Sequence, residues 1–192
     1  LRLVGSFTMP IPSEMISGIS MVLDLQTESA DLPDWWKFRA TGSCRQQSLR
    51  ASLAFADSGL TTCASFLPAS VTGGITNYIY PFSVSNRARL ILVYSLPMGA
   101  VTAVEADREY YAVQLGLDLA RSAGLDACAG CLTPTVLVLN EVKVSQANGL
   151  GDFRIQSPLT RNDVAWQPAM PYPCTSVPVR NSTWGAIKAQ YR

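Results

Sequence analysis

The residues of this chain that could carry chemistry are, first, five cysteines in a sequence that contains no histidine. The absence of histidine excludes nucleophile systems of the Ser-His-Asp and Cys-His types, and also the usual histidine-containing zinc sites. Cys128 and Cys131 have the C-x-x-C spacing of redox and zinc motifs. However, a zinc site needs four ligands, and a redox motif should open a helix. The favoured interpretation is therefore a local Cys128–Cys131 disulfide that closes a turn.

The other cysteines predict a second bridge and a location. Cys44 and Cys63 flank one candidate strand and the loop after it, so we predict a Cys44–Cys63 disulfide. Closing a loop of about 20 residues stabilises a fold by roughly 3 kcal/mol. The count is odd, which leaves Cys174 unpaired in this scheme. Disulfides persist outside the cytosol, and the chain begins at Leu1 rather than Met, so we expect a mature secreted protein, extracellular or at the cell surface.

Three acidic residues, Glu105, Asp107 and Glu109, occupy alternate positions. On a strand they would share one face and could help to hold calcium. On a loop they would only be solvated, and this is the favoured interpretation. No other set of carboxylates has a recognisable setting. The sequence therefore predicts no catalytic residue, no metal and no cofactor.

Two adjacent indoles, Trp35 and Trp36, are the most prominent aromatic feature. On a strand they would point to opposite faces, so one is expected in the core. The other could lie at the edge of the core, in a subunit interface or on a sugar-binding platform, because large exposed aromatics mark contact surfaces. A glycan-binding module would stack sugars on Trp36 together with Tyr78, Tyr80 or Tyr110.

Charge is scarce throughout the 192 residues. Charged residues make up 15 % and hydrophobic residues 48 %, and the formal net charge is +1. Nucleic-acid binding would require a basic excess, so we expect no nucleic-acid partner. The longest apolar stretch, residues 90–104, is interrupted by Ser95, Pro97 and Gly99 and is too short to span a bilayer. The length suits one domain.

The elements that must position these side chains are predicted to be strands. Apolar and polar residues alternate with period two over residues 19–26, 49–55 and 111–119, which is typical of half-buried strands. Apolar runs at residues 89–94 and 135–139 are bounded by turn residues and indicate central strands. The weaker candidates are residues 3–8, 35–39, 76–82, 142–145, 153–156 and 164–167.

This spacing of strands predicts an all-β fold, a two-sheet β-sandwich of jelly-roll or immunoglobulin-like type. The sandwich is expected to form a single domain over residues 1–192. An N-terminal arm over residues 1–12 and a C-terminal arm over residues 168–192 are expected to extend from it. Within the strand that begins at Tyr111, that side chain and Leu115 are both expected to face the core.

Several short motifs follow one another in a recognisable order. They include Cys44-Arg-Gln, the Ala-Cys-Ala-Gly-Cys run that ends at Cys131, and a Thr-Trp-Gly-x-x-Lys-x-x-Tyr-Arg tail. Over about residues 32–192 the chain resembles a family of secreted bacterial proteins of unassigned function. The resemblance implies secretion and no known activity. It also implies a further cysteine near the position that Val136 occupies here, whose loss would leave Cys174 without a partner.

The leading hypothesis is a non-enzymatic extracellular structural protein, a subunit of a surface filament, sheath or coat whose partner is itself. Weakly charged surfaces associate readily, and the N-terminal arm could add a strand to a neighbour's sheet. The same segment could equally be the first strand of its own sandwich. The alternative function is a secreted glycan-binding module. The predicted interface residues lie in both arms: Leu1, Leu3, Val4, Phe7, Met9, Trp184 and Tyr191.

Overall fold

The computed structural model describes residues 1–55, 62–156, 162–167 and 182–183. These residues form two β-sheets packed face to face, so the predicted all-β two-sheet sandwich is confirmed. The strands are β1 (Arg2–Thr8), β2 (Ser13–Thr27), β3 (Leu49–Ser52), β4 (Thr72–Ile79), β5 (Arg87–Ser95), β6 (Thr102–Val104), β7 (Glu109–Leu117), β8 (Thr135–Gln146), β9 (Asp152–Ile155), β10 (Asp163–Trp166) and β11 (Ser182–Thr183).

The smaller sheet has the strand order β11-β1-β7-β3, and the larger sheet has the order β10-β8-β2-β5-β4. In the larger sheet β6 also pairs with β2, and β9 pairs with β8. Pairing is antiparallel except between β1 and β11. None of the helices in the described part of the chain is long and apolar enough to cross a membrane.

Strand β2 lies in the middle of the larger sheet, between β8 and β5, and its alternation is regular. Ile19, Met21, Leu23 and Leu25 are each at most 1 % exposed and face the smaller sheet. Their polar neighbours point away, where Asp24 accepts two hydrogen bonds from Arg89 on β5 at 2.6 and 2.7 Å. The period-two pattern thus fixes which face of the sheet is buried.

The N-terminal segment is a strand of this sandwich and not an extended arm. β1 pairs with β7 over its whole length, and the predicted donation of this segment to a neighbouring subunit is therefore wrong. Leu3, Val4, Phe7 and Met9 are buried within their own chain, at 8, 2, 5 and 0 % exposure. Leu1 packs, half-buried, against the same core. The alternation of apolar residues that suggested a donated strand is therefore the pattern of an internal strand.

A β-bulge changes the predicted orientation of β7. The register shifts where Gly5 of β1 faces Val113 and Ser6 faces Tyr111. As a result Leu115 faces the main core as predicted, whereas Tyr111 lies in a second apolar cluster on the other face of the smaller sheet. Phe55 stacks on Tyr111 there, with ring centroids 4.6 Å apart. The expectation that Tyr111 and Leu115 share a face is wrong, because a bulge inserts one unpaired residue and reverses the alternation.

The two adjacent tryptophans lie on a 3-10 helix, Asp34–Trp36, and not on a strand. Both indoles are fully buried. They contact each other, and Trp166 of β10 stacks on Trp35 at 5.1 Å between centroids. A single tight turn can place two consecutive large side chains in one core, which a strand cannot do.

Candidate functional site

The cysteines pair differently from the sequence-based expectation. Cys44 is bonded to Cys128, with their Cα atoms 5.9 Å apart, so the predicted Cys44–Cys63 and Cys128–Cys131 bridges are both wrong. The reason lies in a long-range contact. The backbone N–H of Trp35 donates to the backbone carbonyl of Ala129 at 2.9 Å. This bond holds the segment around Cys128 against the segment that leads to Cys44.

We expect a second disulfide between Cys131 and Cys174. Cys131 is disulfide-bonded, and the Trp166 indole N–H donates to its carbonyl oxygen at 2.7 Å. Trp166, which precedes Cys174 by a few residues in the sequence, therefore lies next to Cys131. Cys174 itself lies outside the described residues. Peptide mapping without reductant should recover Cys44 linked to Cys128 and Cys131 linked to Cys174, and both links should disappear in a reduced digest. A peptide that joins Cys44 to Cys63 would contradict this scheme.

A buried arginine, Arg45, directly follows the disulfide-bonded Cys44 in the chain. Arg45 is 2 % exposed, and its guanidinium carbon lies 3.7 Å from the centroid of the Trp35 ring. It donates to the carbonyl of Asp118 and, at 3.5 Å, to the carbonyl of Trp35. Burial lowers the pKa of Arg45 to about 10, while the nearby Asp118 acts in the opposite direction. These contacts tie the loop to the core, which is a structural role.

The aromatic rings proposed for glycan stacking are not available as an exposed platform. Trp36 and Tyr110 are buried. Tyr78 is half-buried and donates its hydroxyl to the carbonyl of Trp36 at 2.7 Å, and Lys37 lies over the half-buried Tyr80 ring. A sugar-binding surface needs flat, open rings, so this geometry does not favour the alternative function.

The three acidic residues do not converge. Glu105 forms an exposed ion pair with Arg108, and Asp107 lies in the turn before β7. Glu109 accepts a hydrogen bond from the Ser6 hydroxyl at 2.6 Å. In the described part of the chain, no group of three or more Cys, Asp or Glu side chains is placed to hold a metal ion.

The feature with the clearest capacity for interaction is the outer edge of β4. This eight-residue strand pairs with β5 on one side, and no strand in the described ranges pairs with its other side. An open strand edge presents unpaired N–H and C=O groups, which are a template for another strand. We define the β4 edge as Thr72–Ile79.

The other sheet edges in the described residues are short or charged. β3 has four residues and includes the exposed Arg50. β9 and β10 have four residues each and carry Asp152, Arg154 and Asp163. Short strands and charged side chains are the usual protection against pairing between edges. The β4 edge has neither of these two protections, and its one irregularity is a register shift between Ile75 and Asn77.

The described side chains around the β4 edge are mainly apolar, and the cations near it, Lys37 and Arg89, are each paired with a carboxylate. Ile79 is 38 % exposed, Val93 on the neighbouring strand 40 %, and Val84 just beyond β4 48 %. The closest cation along the sheet, Arg89 opposite Ile79, is paired with Asp24 at 2.6 Å. A second chain would therefore meet little desolvation cost at this edge.

The sequence carries a signal for this edge that alternation alone does not reveal. Residues 58–86 contain no Asp, Glu, Lys or Arg. The predicted interface residues are instead divided between the N-terminal strand, which is internal, and Trp184 and Tyr191, which lie outside the described residues. A strand within an uncharged run of this length has no charged side chain to protect it where it lies at a sheet edge.

Comparisons with protein-family models, curated proteins and solved structures found no match. The molecular class that the fold supports is an all-β sandwich in which the described residues leave the edge of β4 open and uncharged.

Proposed function

We propose that this protein is a non-enzymatic structural subunit that associates with copies of itself through the β4 edge. The observation that carries the proposal is an eight-residue strand without charge, proline or a paired neighbour on its outer side within the described residues. The Cys44–Cys128 disulfide supports an extracellular location, because such bonds persist in oxidising compartments.

A second copy of the same strand is the simplest partner. Two β4 edges can pair antiparallel about a two-fold axis, so that each contributes the same residues to the contact. Two regular eight-residue strands exchange at most about eight backbone hydrogen bonds in this arrangement, and the register shift between Ile75 and Asn77 lowers that number. Ile79 of each copy would then lie against the other.

The energy of such a contact suits reversible association. Each hydrogen bond contributes roughly 0.5–1.5 kcal/mol net, so the ladder contributes no more than about 4–12 kcal/mol. Association costs about 4–15 kcal/mol, so hydrogen bonds alone nearly balance that cost. Burial of Ile79 in each copy supplies the surplus, at roughly 25 cal/mol for each Å² of apolar surface covered.

A filament, sheath or coat needs more than this contact. Two-fold pairing closes at a dimer, and growth into a polymer requires a second, different interface. The donated N-terminal strand cannot supply it, because β1 is paired inside the sandwich. In the proposed assembly the β4 edge joins subunits into pairs, and a second surface joins the pairs.

The test introduces lysines at the β4 edge. Asn77 and Ile79 are both exposed and lie two residues apart, so Asn77→Lys/Ile79→Lys places four positive charges around a two-fold contact. We expect the particle mass of the native protein to rise with concentration in light scattering and sedimentation. The double variant should remain a monomer over the same range.

The matched control is Met98→Lys/Val101→Lys, which adds the same charge at exposed apolar positions in the segment between β5 and β6. It should associate as the native protein does. Two results would overturn the proposal: a native protein that stays monomeric at high concentration, or two double variants that lose association equally.

A further inference from the structure

The outer face of the larger sheet, on the side away from the core, carries neighbouring apolar side chains. Val22 of β2 lies directly opposite Ile91 of β5, and Val93 follows two residues later on β5. All three alternate with buried residues that face the core, so their side chains point outward. We call Val22, Ile91 and Val93 the outer stripe.

The neighbouring strands leave Val93 uncovered. Its partners across the two ladders are Ser20 of β2 and Gly74 of β4. Serine has a short side chain and glycine has none, and a Cβ atom built at Gly74 would meet no heavy atom within 4 Å. Val93 is accordingly 40 % exposed, although β5 lies between two other strands. A flat partner laid on this face would contact it.

The charged side chains around the outer stripe already have partners in the chain. Three ion pairs, with N···O distances of 2.6, 2.8 and 3.3 Å, join Arg89 to Asp24, Arg154 to Glu141 and Lys143 to Asp152. A covering surface does not need to supply counter-ions to these six groups. This favours a partner whose own surface is apolar with balanced charge, and the same face of a second copy has both properties.

The two sheets differ in how the chain treats their outer faces. On the smaller sheet, Val4, Phe55 and Tyr111 form a buried apolar cluster. The described residues form no such cluster on the outer face of the larger sheet. The chain therefore covers the apolar residues of one outer face, and those of the other remain for a partner.

Pairing of two β4 edges would double this face. In an antiparallel pair of strands the two-fold axis is perpendicular to the sheet, so both outer faces lie on the same side. Five strands about 4.8 Å apart, with about nine residues each at about 3.3 Å, give a face of at most about 700 Å² per copy. A stable interface takes about 800 Å² from each partner, which one copy does not reach and a pair exceeds.

We propose that the outer stripe is the second interface of the assembly, through which one β4-linked pair of copies stacks face to face on another pair. This inference rests on the β4 pairing proposed above. Stacked sheets lie about 10 Å apart with their strands about 30° from parallel, which brings the outer stripes of the two pairs into contact. Assembly is then ordered, because edge pairing creates the area that stacking requires.

The test is sedimentation velocity of the native protein and of Val22→Lys/Val93→Lys. The variant places two added lysines of each copy in the stacked contact, where burial of unpaired charge is costly. We expect native particles of four or more copies at high concentration. The variant should stop at two copies, with the concentration needed for larger particles raised at least about ten-fold.

Two further variants make the readout specific. Leu125→Lys/Leu132→Lys adds the same charge at exposed apolar positions between β7 and β8, and should assemble as the native protein does. Val93→Lys alone changes only the more exposed position and replaces the double variant if circular dichroism shows that the latter is unfolded. A two-copy particle of either stripe variant also shows that its β4 edge is intact.

The outcomes separate this proposal from the β4 pairing. Native particles that never exceed two copies would overturn the stacking and leave the edge pairing in place. Stripe variants that assemble as far as the native protein, or that stay monomeric, would also overturn it, the second because the stripe would then act before the edge. A native protein that is monomeric throughout would overturn both proposals.

Discussion

Deletion of residues 1–9 should unfold the protein, although this segment has the composition of a detachable arm. β1 lies between β7 and β11 in the smaller sheet, so its removal would expose the inner edge of β7. It would also remove four buried side chains, Leu3, Val4, Phe7 and Met9. Each such side chain contributes roughly 1.5–3 kcal/mol, which gives about 6–12 kcal/mol in total. Domains have a free energy of unfolding of only about 5–15 kcal/mol.

The measurement is circular dichroism with thermal unfolding. The truncated chain should lose its β-sheet signal and its cooperative transition. Two point variants refine the result: Phe7→Ala should cost about 3–5 kcal/mol, whereas Ile11→Ala, at a side chain 52 % exposed, should change stability by less than about 1 kcal/mol. A truncated chain that unfolds cooperatively at the native temperature would show that β1 is dispensable.

Strands were the most predictable part of this fold because their signal is local. The alternation over residues 19–26 reports directly on a half-buried strand, and β2 covers that range. The apolar run at residues 89–94 likewise lies within β5. What alternation does not report is the partner of each strand. β1 has the same pattern whether it pairs inside its own sheet or with another subunit.

The β-bulge and the 3-10 helix were not predicted, because the apolar pattern of the sequence does not report them. The bulge opposite Gly5 and Ser6 leaves no mark in the apolar pattern of β7, since Tyr111 and Leu115 are both large and both buried. The 3-10 helix at Asp34–Trp36 is only three residues long. From the sequence alone, two adjacent tryptophans at this position are compatible with a strand. Only the packing of the core shows that both indoles are buried.

The candidate sites depend on long-range topology, and the sequence predicts them only in part. The uncharged run over residues 58–86 marks a segment without protection, but its position at a sheet edge follows from strand order. Cysteine pairing is similar. Nearby cysteines in the sequence suggested Cys128 with Cys131, whereas the Trp35 contact with Ala129 brings a distant cysteine closer.

The Cys44–Cys128 disulfide should make the largest single covalent contribution to the free energy of unfolding in the described part of the chain. Cys44 and Cys128 are separated by 84 residues, and in the chain-entropy model a loop of this length contributes about 4–5 kcal/mol. The bridge also joins the loop that contains Cys44 to the loop that contains Cys128. Arg121 of the second loop donates to the carbonyl of Cys44 at 3.0 Å, and the Trp35 indole N–H donates to the Ser122 hydroxyl at 3.0 Å.

We therefore expect Cys44→Ala/Cys128→Ala to lower the free energy of unfolding by about 4–5 kcal/mol. Denaturant titration followed by tryptophan fluorescence measures it, because Trp35 and Trp36 are fully buried in the native state. The control Ser43→Ala/Ala127→Ser alters adjacent positions in the same loops without touching the bridge, and should cost less than about 1 kcal/mol. If the cysteine variant lost no more than this control, the loops would be held by the Arg45 and Trp35 contacts alone, and the bridge would not be the element that stabilises them.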